Sequence, residues 1–236
     1  DLMTKLDIEQ KTINQLKALI MDTVRKADSG HTGGPFSSLD FTYVLYNDFL
    51  KYDPNDDQWF DRDRFVLSPG HESALLYSML CLIGWLDIKD LKEFRQLGSK
   101  TPGHPERGLT PGVECTTGPL GQGVANAVGM ALAARIRRQH HRVVVVTGDG
   151  EINEGSVWEA AMSAPHFKLN NLTAIVDNNS LQQTGSNEEI MSSSNLSEKW
   201  KSFNWDVHEI DGHNIENILE TLKLTSKGPK FKPIKT

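Results

Sequence analysis

Two cysteines in 236 residues, Cys81 and Cys115, are too few for a disulfide framework, and neither has a metal-ligating neighbour at short spacing. They read as reduced, buried thiols of a cytoplasmic protein. Long apolar runs are also lacking. No stretch suits a membrane span, and Leu16 to Met21, the nearest thing to a secretory core, is bounded by Lys17 and Asp22. Without a secretory route, the Asn-x-Ser/Thr triplets at Asn171, Asn178 and Asn195 carry no weight as glycosylation signals. An excess of positive charge is missing too. The formal net charge of −6 argues against nucleic acid, and Arg135-Ile136-Arg137-Arg138 reads as the solvated end of a helix, where cations suit the dipole. No internal repeat, low-complexity tract or Pro/Gly/Ser-rich linker divides the chain, so residues 1–236 are expected to form one domain.

What is present is an alternation of periodic segments. A helix is expected over Asp7 to Ala27, with Ile8, Ile13, Leu16, Leu19, Ile20 and Val24 on its apolar face. A second helix spans 37–50, a short strand 64–68, and another helix starts near His71. A glycine- and proline-rich loop covers 98–114, a length that is usually functional or disordered. An apolar helix over 121–138 leads into a strand from Arg142. A strand at 207–210 and a helix at 215–224 follow. A last strand after 224 is left open, since the basic stretch Lys227 to Lys235, with two prolines, has the look of a frayed or incomplete end, and the polar residues 182–207, serine-rich at Ser192-Ser193-Ser194, that of a mobile segment. This order predicts a three-layer α/β fold with a mostly parallel sheet.

Two β-branched runs carry the chemistry. Val143-Val144-Val145-Val146-Thr147 ends in Gly148-Asp149-Gly150, and Leu172-Thr173-Ala174-Ile175-Val176 ends in Asp177-Asn178-Asn179. Such runs suit strands buried on both faces, with 152–167 as the crossover helix. Asp149 and Asn179 then fall at strand carboxyl ends, where open α/β sheets bind ligands. Oxygen donors beside glycines suit a magnesium ion holding a diphosphate.

Four of the eight histidines sit beside glycine: His31, His71, His104 and His213. Glycine gives close access, and imidazole gives a donor or base near neutral pH. One such placement is unremarkable, whereas four point to a site handling phosphates and hydroxyls. His140 and His141, at a helix end, are expected to be exposed. The Gly118-Pro119-Leu120-Gly121-Gln122-Gly123 segment lacks the spacing of a dinucleotide fingerprint. It reads as a surface whose backbone meets an aromatic ring, against the plainer reading of helix packing through small residues.

The GDG turn followed by Asn179 resembles the signature of thiamine diphosphate enzymes. SGHTGG at 29–34, LSPGHESALLY at 67–77, TPGHPE at 101–106, TTGPLGQG at 116–123, GDGEINEGSVWEA at 148–160 and DGHN at 211–214 together resemble the transketolase family, in its amino-terminal diphosphate-binding domain. The resemblance implies Mg²⁺ (Ca²⁺ or Mn²⁺ as substitutes) held by Asp149, Asn179 and the backbone carbonyl of Leu181. It implies that Gly150 lends its amide to the diphosphate, that His71 and His213 hydrogen-bond the diphosphate or the donor, and that Gly118 and Leu120 contact the aminopyrimidine. His31 and His104 match residues that orient the sugar and help move protons. Glu154 and Glu159 match residues at the subunit interface that links paired sites.

The implied reaction moves a two-carbon ketol unit from a ketose phosphate to an aldose phosphate. Full-length transketolases continue with a pyrimidine-binding domain, which supplies the cofactor-activating glutamate, and a carboxyl-terminal domain. The chain is therefore expected to be the amino-terminal subunit of a split transketolase, completed in a heterotetramer by a partner chain. Alternatives are a subunit of deoxyxylulose-phosphate synthase, of a 2-oxoacid dehydrogenase or of a dihydroxyacetone synthase-like enzyme, a phosphoketolase, a non-catalytic cofactor-binding scaffold, and a phosphatase using Asp149 as nucleophile.

Overall fold

A computed structural model describes residues 4–192 and 195–236; Ser193 and Ser194 of the expected mobile segment lie outside the described residues. The first helix, α1 (Lys5–Ala27), begins in a capping box. Thr4 accepts the Asp7 N–H, Asp7 returns a bond to the Thr4 N–H, and Asp28 closes the helix in the left-handed region at φ 48°. Its buried stripe holds Glu9, Ile13, Leu16, Ile20 and Thr23, while Ile8 is half exposed. The expected single helix over 37–50 is instead α2 (Gly33–Ser37), α3 (Leu39–Val44) and a π-helical turn at Leu45–Phe49, because the chain bends at Ser38.

Next come β1 (Arg64–Leu67), a 3₁₀ turn at Gly70–Glu72, α4 (Ser73–Leu82) and α5 (Ile88–Leu91). Residues 92–121 carry turns alone. They are nevertheless pinned: Ser73 Oγ donates to Gly103 O, Tyr77 OH to Pro102 O and Thr101 Oγ1 to Asp90 O. Then follow α6 (Gln122–Ile136), β2 (Val143–Gly148), α7 (Gly155–His166) and β3 (Leu172–Asn178). The polar stretch beyond β3 folds into β4 (Leu181–Gln182), β5 (Gly185–Ser186), α8 (Asn187–Ile190) and α9 (Leu196–Ser202). The chain closes with β6 (Asp206–Val207), β7 (Ile210–Asp211), α10 (Ile215–Lys223) and β8 (Lys230–Lys235).

The main sheet runs β1-β2-β3-β8-β6, with β7 also on β8, and its strand pairs are parallel. Side chains alternate across it. Phe65, Leu67, Val144, Val146, Ile175 and Ile234 meet α1, α3, α4 and α10, while Val66, Val143, Val145, Ala174, Val176 and Phe231 meet α6, α7 and α9. The result is the expected three-layer architecture. No described helix is long and apolar enough to cross a membrane. Cys81 and Cys115 are unpaired and half-buried, and burial pushes their thiols up to about 12 and about 11.

Two expectations fail for reasons of long-range pairing. The basic stretch 227–235 is no frayed end: β8 joins β3 to the edge strands, and Trp200 stacks on its Phe231 with ring centroids 3.8 Å apart. Two of its lysines are buried with their ammonium groups on carbonyls, Lys230 on Asn170 O and Lys232 on Thr221 O. Proline is tolerated inside this strand because of its direction. Phe231 and Lys235 present their carbonyls to the edge, so Pro233, midway between them, turns its missing N–H to the same side. There the edge is interrupted between β6 and β7 at residues 208–209. His141 is the second failure. It is buried beside Asp61, Nδ1 to Oδ1 3.8 Å, and burial lowers its pKa.

Candidate functional site

Four strand ends converge at the carboxyl edge of the sheet. Ser68 follows β1, Asp149 follows β2, Asn179 follows the end of β3, and Thr236 follows β8. Thr236 Oγ1 donates to Asp177 Oδ1 at 2.7 Å, and Ser37 Oγ and Asn179 Nδ2 donate to Asp177 Oδ2. Asp149 is 2% exposed. Its Oδ1 accepts the Gly150 N–H at 2.8 Å, and its Oδ2 accepts the Ser180 N–H at 2.8 Å and Asn187 Nδ2 at 2.7 Å. Asn179 is half-buried and its Oδ1 accepts the Leu181 N–H at 2.9 Å in a local Asx turn. Gly150 thus keeps its amide on Asp149, and Leu181 is an exposed residue. A pocket of about 450 Å³ opens alongside, lined by Asn178, Ser180, Ser186, Asn187 and Lys235 among others. A larger hollow of about 820 Å³, between α1 and α5, contains none of these residues.

The acids here are buried together. Burial raises the pKa of Asp149, Asp177, Glu151 and Glu72, and the negative charge of Asp177 adds to the effect at Asp149 and Glu72. Among the described residues none of the four is in a salt bridge. Buried carboxylates without countercharge suit a cation. No three His, Cys, Asp or Glu side chains among the described residues form a cage of their own. The expected set differs in kind, with one carboxylate, one carboxamide and one backbone carbonyl, so these residues fit a Mg²⁺ whose shell a diphosphate completes.

Three of the four glycine-flanked histidines come together. The rings of His31 and His71 meet edge to face with centroids 5.0 Å apart. His104 lies near enough to lower the pKa of both, after burial, and a Cβ placed on Gly118 would come within 3.2 Å of its ring. Burial, then His31 and His104, pushes His71 down to about 4, so its ring is neutral near pH 7. His213 stands apart from this trio: its Nδ1 pairs with Asp40 Oδ2 at 2.9 Å, beyond Gly212 at the end of β7.

The 118–123 segment carries the plainer of the two readings weighed for it, close packing through small residues. A Cβ on Gly123 would lie 2.5 Å from Ser68 Oγ, so α6 packs its start against the end of β1. Before that helix Gly118, at φ 145°, lies against the His104 ring, and Leu120 is exposed. Glu154 and Glu159 are exposed on and just beyond the turn after Asp149. Sequence reading missed Asn187, which sits in the polar stretch with nothing local to mark it. It also left the buried acids Glu72, Glu151 and Asp177 without a place in the site.

Comparison with known proteins places this arrangement. A family model described as "Transketolase, thiamine diphosphate binding domain" matches residues 8–235. Transketolase 2 of Escherichia coli is 47% identical over 232 residues, 93% of this chain and 34% of that protein; the Aquifex aeolicus transketolase is 42% identical over 96% of this chain and 34% of its own length. The chain thus spans about a third of these relatives. The crystal structure of the Campylobacter jejuni transketolase superposes with a TM-score of 0.93 at 41% identity, covering 99% of this chain and 38% of that one. A Pichia stipitis transketolase, solved in complex with sedoheptulose-7-phosphate, gives 0.92 at 39% identity, covering 97% and 36%. With its strand-end acids, its gathered histidines and a match along almost all its length, the chain belongs to the transketolase family, in its thiamine diphosphate binding domain.

Proposed function

We propose that the chain binds the diphosphate end of thiamine diphosphate through Mg²⁺ and acts, with a partner chain carrying the pyrimidine-binding domain, as a cytoplasmic transketolase. In this reading a two-carbon ketol unit passes from a ketose phosphate to an aldose phosphate. The observation that carries it is the buried, uncompensated Asp149 at the end of β2, with Asn179 at the end of the next strand. The Pichia stipitis relative, solved with sedoheptulose-7-phosphate and in another structure with fructose-6-phosphate, lends support to sugar-phosphate substrates.

Asp149, the Asn179 side-chain oxygen and the Leu181 carbonyl hold the metal. Gly150, whose amide is on Asp149 Oδ1 here, would lend that amide to the diphosphate. The cofactor, when bound, supplies the electron sink for carbon–carbon cleavage. His71, kept neutral, and His213 hydrogen-bond the diphosphate or the donor sugar. His31 and His104 orient the sugar hydroxyls and carry protons at their ring nitrogens. Gly118 and Leu120 meet the aminopyrimidine, and Glu154 and Glu159 face the partner across the interface. The active unit is a heterotetramer, two copies of each chain.

Mixing the chain with a pyrimidine-domain polypeptide, thiamine diphosphate, Mg²⁺ and a ketose phosphate tests this. Ketol transfer should need both polypeptides, stop on chelation and return with Mg²⁺, Ca²⁺ or Mn²⁺. A mixture that stays inert sinks the reaction, and full transfer by this chain without a second polypeptide sinks the split arrangement.

A further inference from the structure

We infer that Glu151 is a positioning residue, whose side chain fixes the 117–123 loop against the Asp149 turn and so sets the spacing between two ends of the site. The inference rests on the proposed function, in which that loop meets the cofactor's ring and that turn its diphosphate.

Glu151 is 3% exposed, and both its oxygens are filled by donors from three places in the chain. Oε1 accepts Ser68 Oγ, just past β1, at 2.5 Å and the Gly121 N–H, at the start of α6, at 2.7 Å. Oε2 accepts Thr147 Oγ1 at 2.7 Å and the Gly148 N–H at 3.2 Å, both at the end of β2. Gly121 is the N-cap of a 15-residue helix and has no side chain to cap it. A carboxylate brought in from the neighbouring turn accepts the N–H of this N-cap residue, the bond an N3 glutamate makes in a capping box, and suits the helix dipole.

The backbone around this carboxylate is packed too closely for the loop to sit elsewhere. A Cβ on Gly121 would lie 2.6 Å from Ser156 Oγ and 2.8 Å from Glu154 Cβ. One on Gly70 would lie 2.7 Å from the Thr117 carbonyl carbon and the Gly118 nitrogen. The loop is therefore wedged between the end of β1 and the turn after Asp149, with Glu151 as the acceptor common to all three.

The chemistry requires a carboxylate. Hydroxyl donors can rotate to accept, but a backbone N–H cannot. A glutamine offers one oxygen, so its NH₂ must face either Gly121 N–H or Gly148 N–H, and one side of the clamp opens.

The test uses the complete enzyme unit carrying Glu151→Gln, with Thr147→Val as a milder, isosteric variant that removes one hydroxyl donor. Three quantities are read: amide exchange at Gly121 and Gly148, the apparent KM for thiamine diphosphate, and kcat at saturating cofactor. Glu151→Gln should speed exchange at one of the two glycines while the amides of Val143 to Thr147 and of β3 stay protected. It should raise the cofactor KM by about 10- to 100-fold, the usual range for losing an outer-shell partner, with kcat far less changed. Thr147→Val should shift both in the same direction by less. Unchanged exchange overturns the clamp. Faster exchange with an unchanged KM also overturns the inference, because the residue is then merely structural. A wild-type unit that binds no thiamine diphosphate instead overturns the proposed function, and the positioning role falls with it.

Discussion

The ammonium group of Lys232, wholly buried in β8, donates to the backbone carbonyl of Thr221 at 2.6 Å, in the last turn of α10. A lysine here closes a helix end from within the core. Burial pushes its pKa down from 10.5 to about 8.

Between those two values the unfolded chain holds a proton that the folded chain has lost, so stability climbs with pH through that window. Below it, both states carry the charge and the burial penalty is complete. Lys232→Met should flatten this climb and hold or raise stability near pH 7, since Thr221 O retains the Leu224 N–H. Urea unfolding across the window checks it; a wild-type curve without the climb refutes it.

The histidine trio should make the chain acid-sensitive. His71 has its pKa lowered to about 4, against about 6.5 for an unperturbed imidazole. As pH falls from the upper value to the lower, the unfolded state takes up a proton that the folded state refuses, and stability drops. His71→Asn should lessen that loss, measured by thermal midpoints at acid pH. Parallel losses in both proteins would contradict it.

Two glycines of α6 should respond in opposite directions to alanine. Gly123→Ala forces a Cβ to within 2.6 Å of Ser68 Cβ, overpacking of a kind that costs about 1–3 kcal/mol. Gly129 is exposed with nothing within 4 Å of the added carbon, so Gly129→Ala should stabilise by about 0.5–1 kcal/mol. Denaturant midpoints decide, and like signs would count against the packing at Ser68.

Asp149→Asn should abolish Mg²⁺-dependent binding of thiamine diphosphate, an effect beyond the roughly 100-fold expected for losing an outer-shell partner. Titration calorimetry with and without Mg²⁺ measures it, with circular dichroism to show that the fold persists. Undiminished binding would remove Asp149 from the metal shell.

What could be read from the sequence follows from how local each signal was. The valine run of β2 and the 172–176 run declare strands covered on both faces, and their ends locate Asp149 and Asn179 without further help. The histidines were marked by their glycines, although only the fold shows that His31, His71 and His104 gather while His213 turns to Asp40. What stayed hidden depended on distant partners. Lys230 and Lys232 look like solvated charge until Asn170 O and Thr221 O are found beside them. His141 looks like a helix-end residue until Asp61 covers it. Glu151 looks like a turn acid, because Ser68 and Gly121 lie 83 and 30 residues away.

The position of β8 within the sheet also bears on how the domain is made. It is the last of the sheet's strands in sequence, yet it lies between β3 and the β6/β7 edge. During synthesis β1, β2 and β3 can pair as they emerge, whereas β6 and β7 have no strand to join until residues 230–235 have been translated. Pairing of the edge strands therefore waits on β8, which must itself join β3. Until then Trp200 and Trp205 lack Phe231 to cover them, and that apolar surface stays open to water.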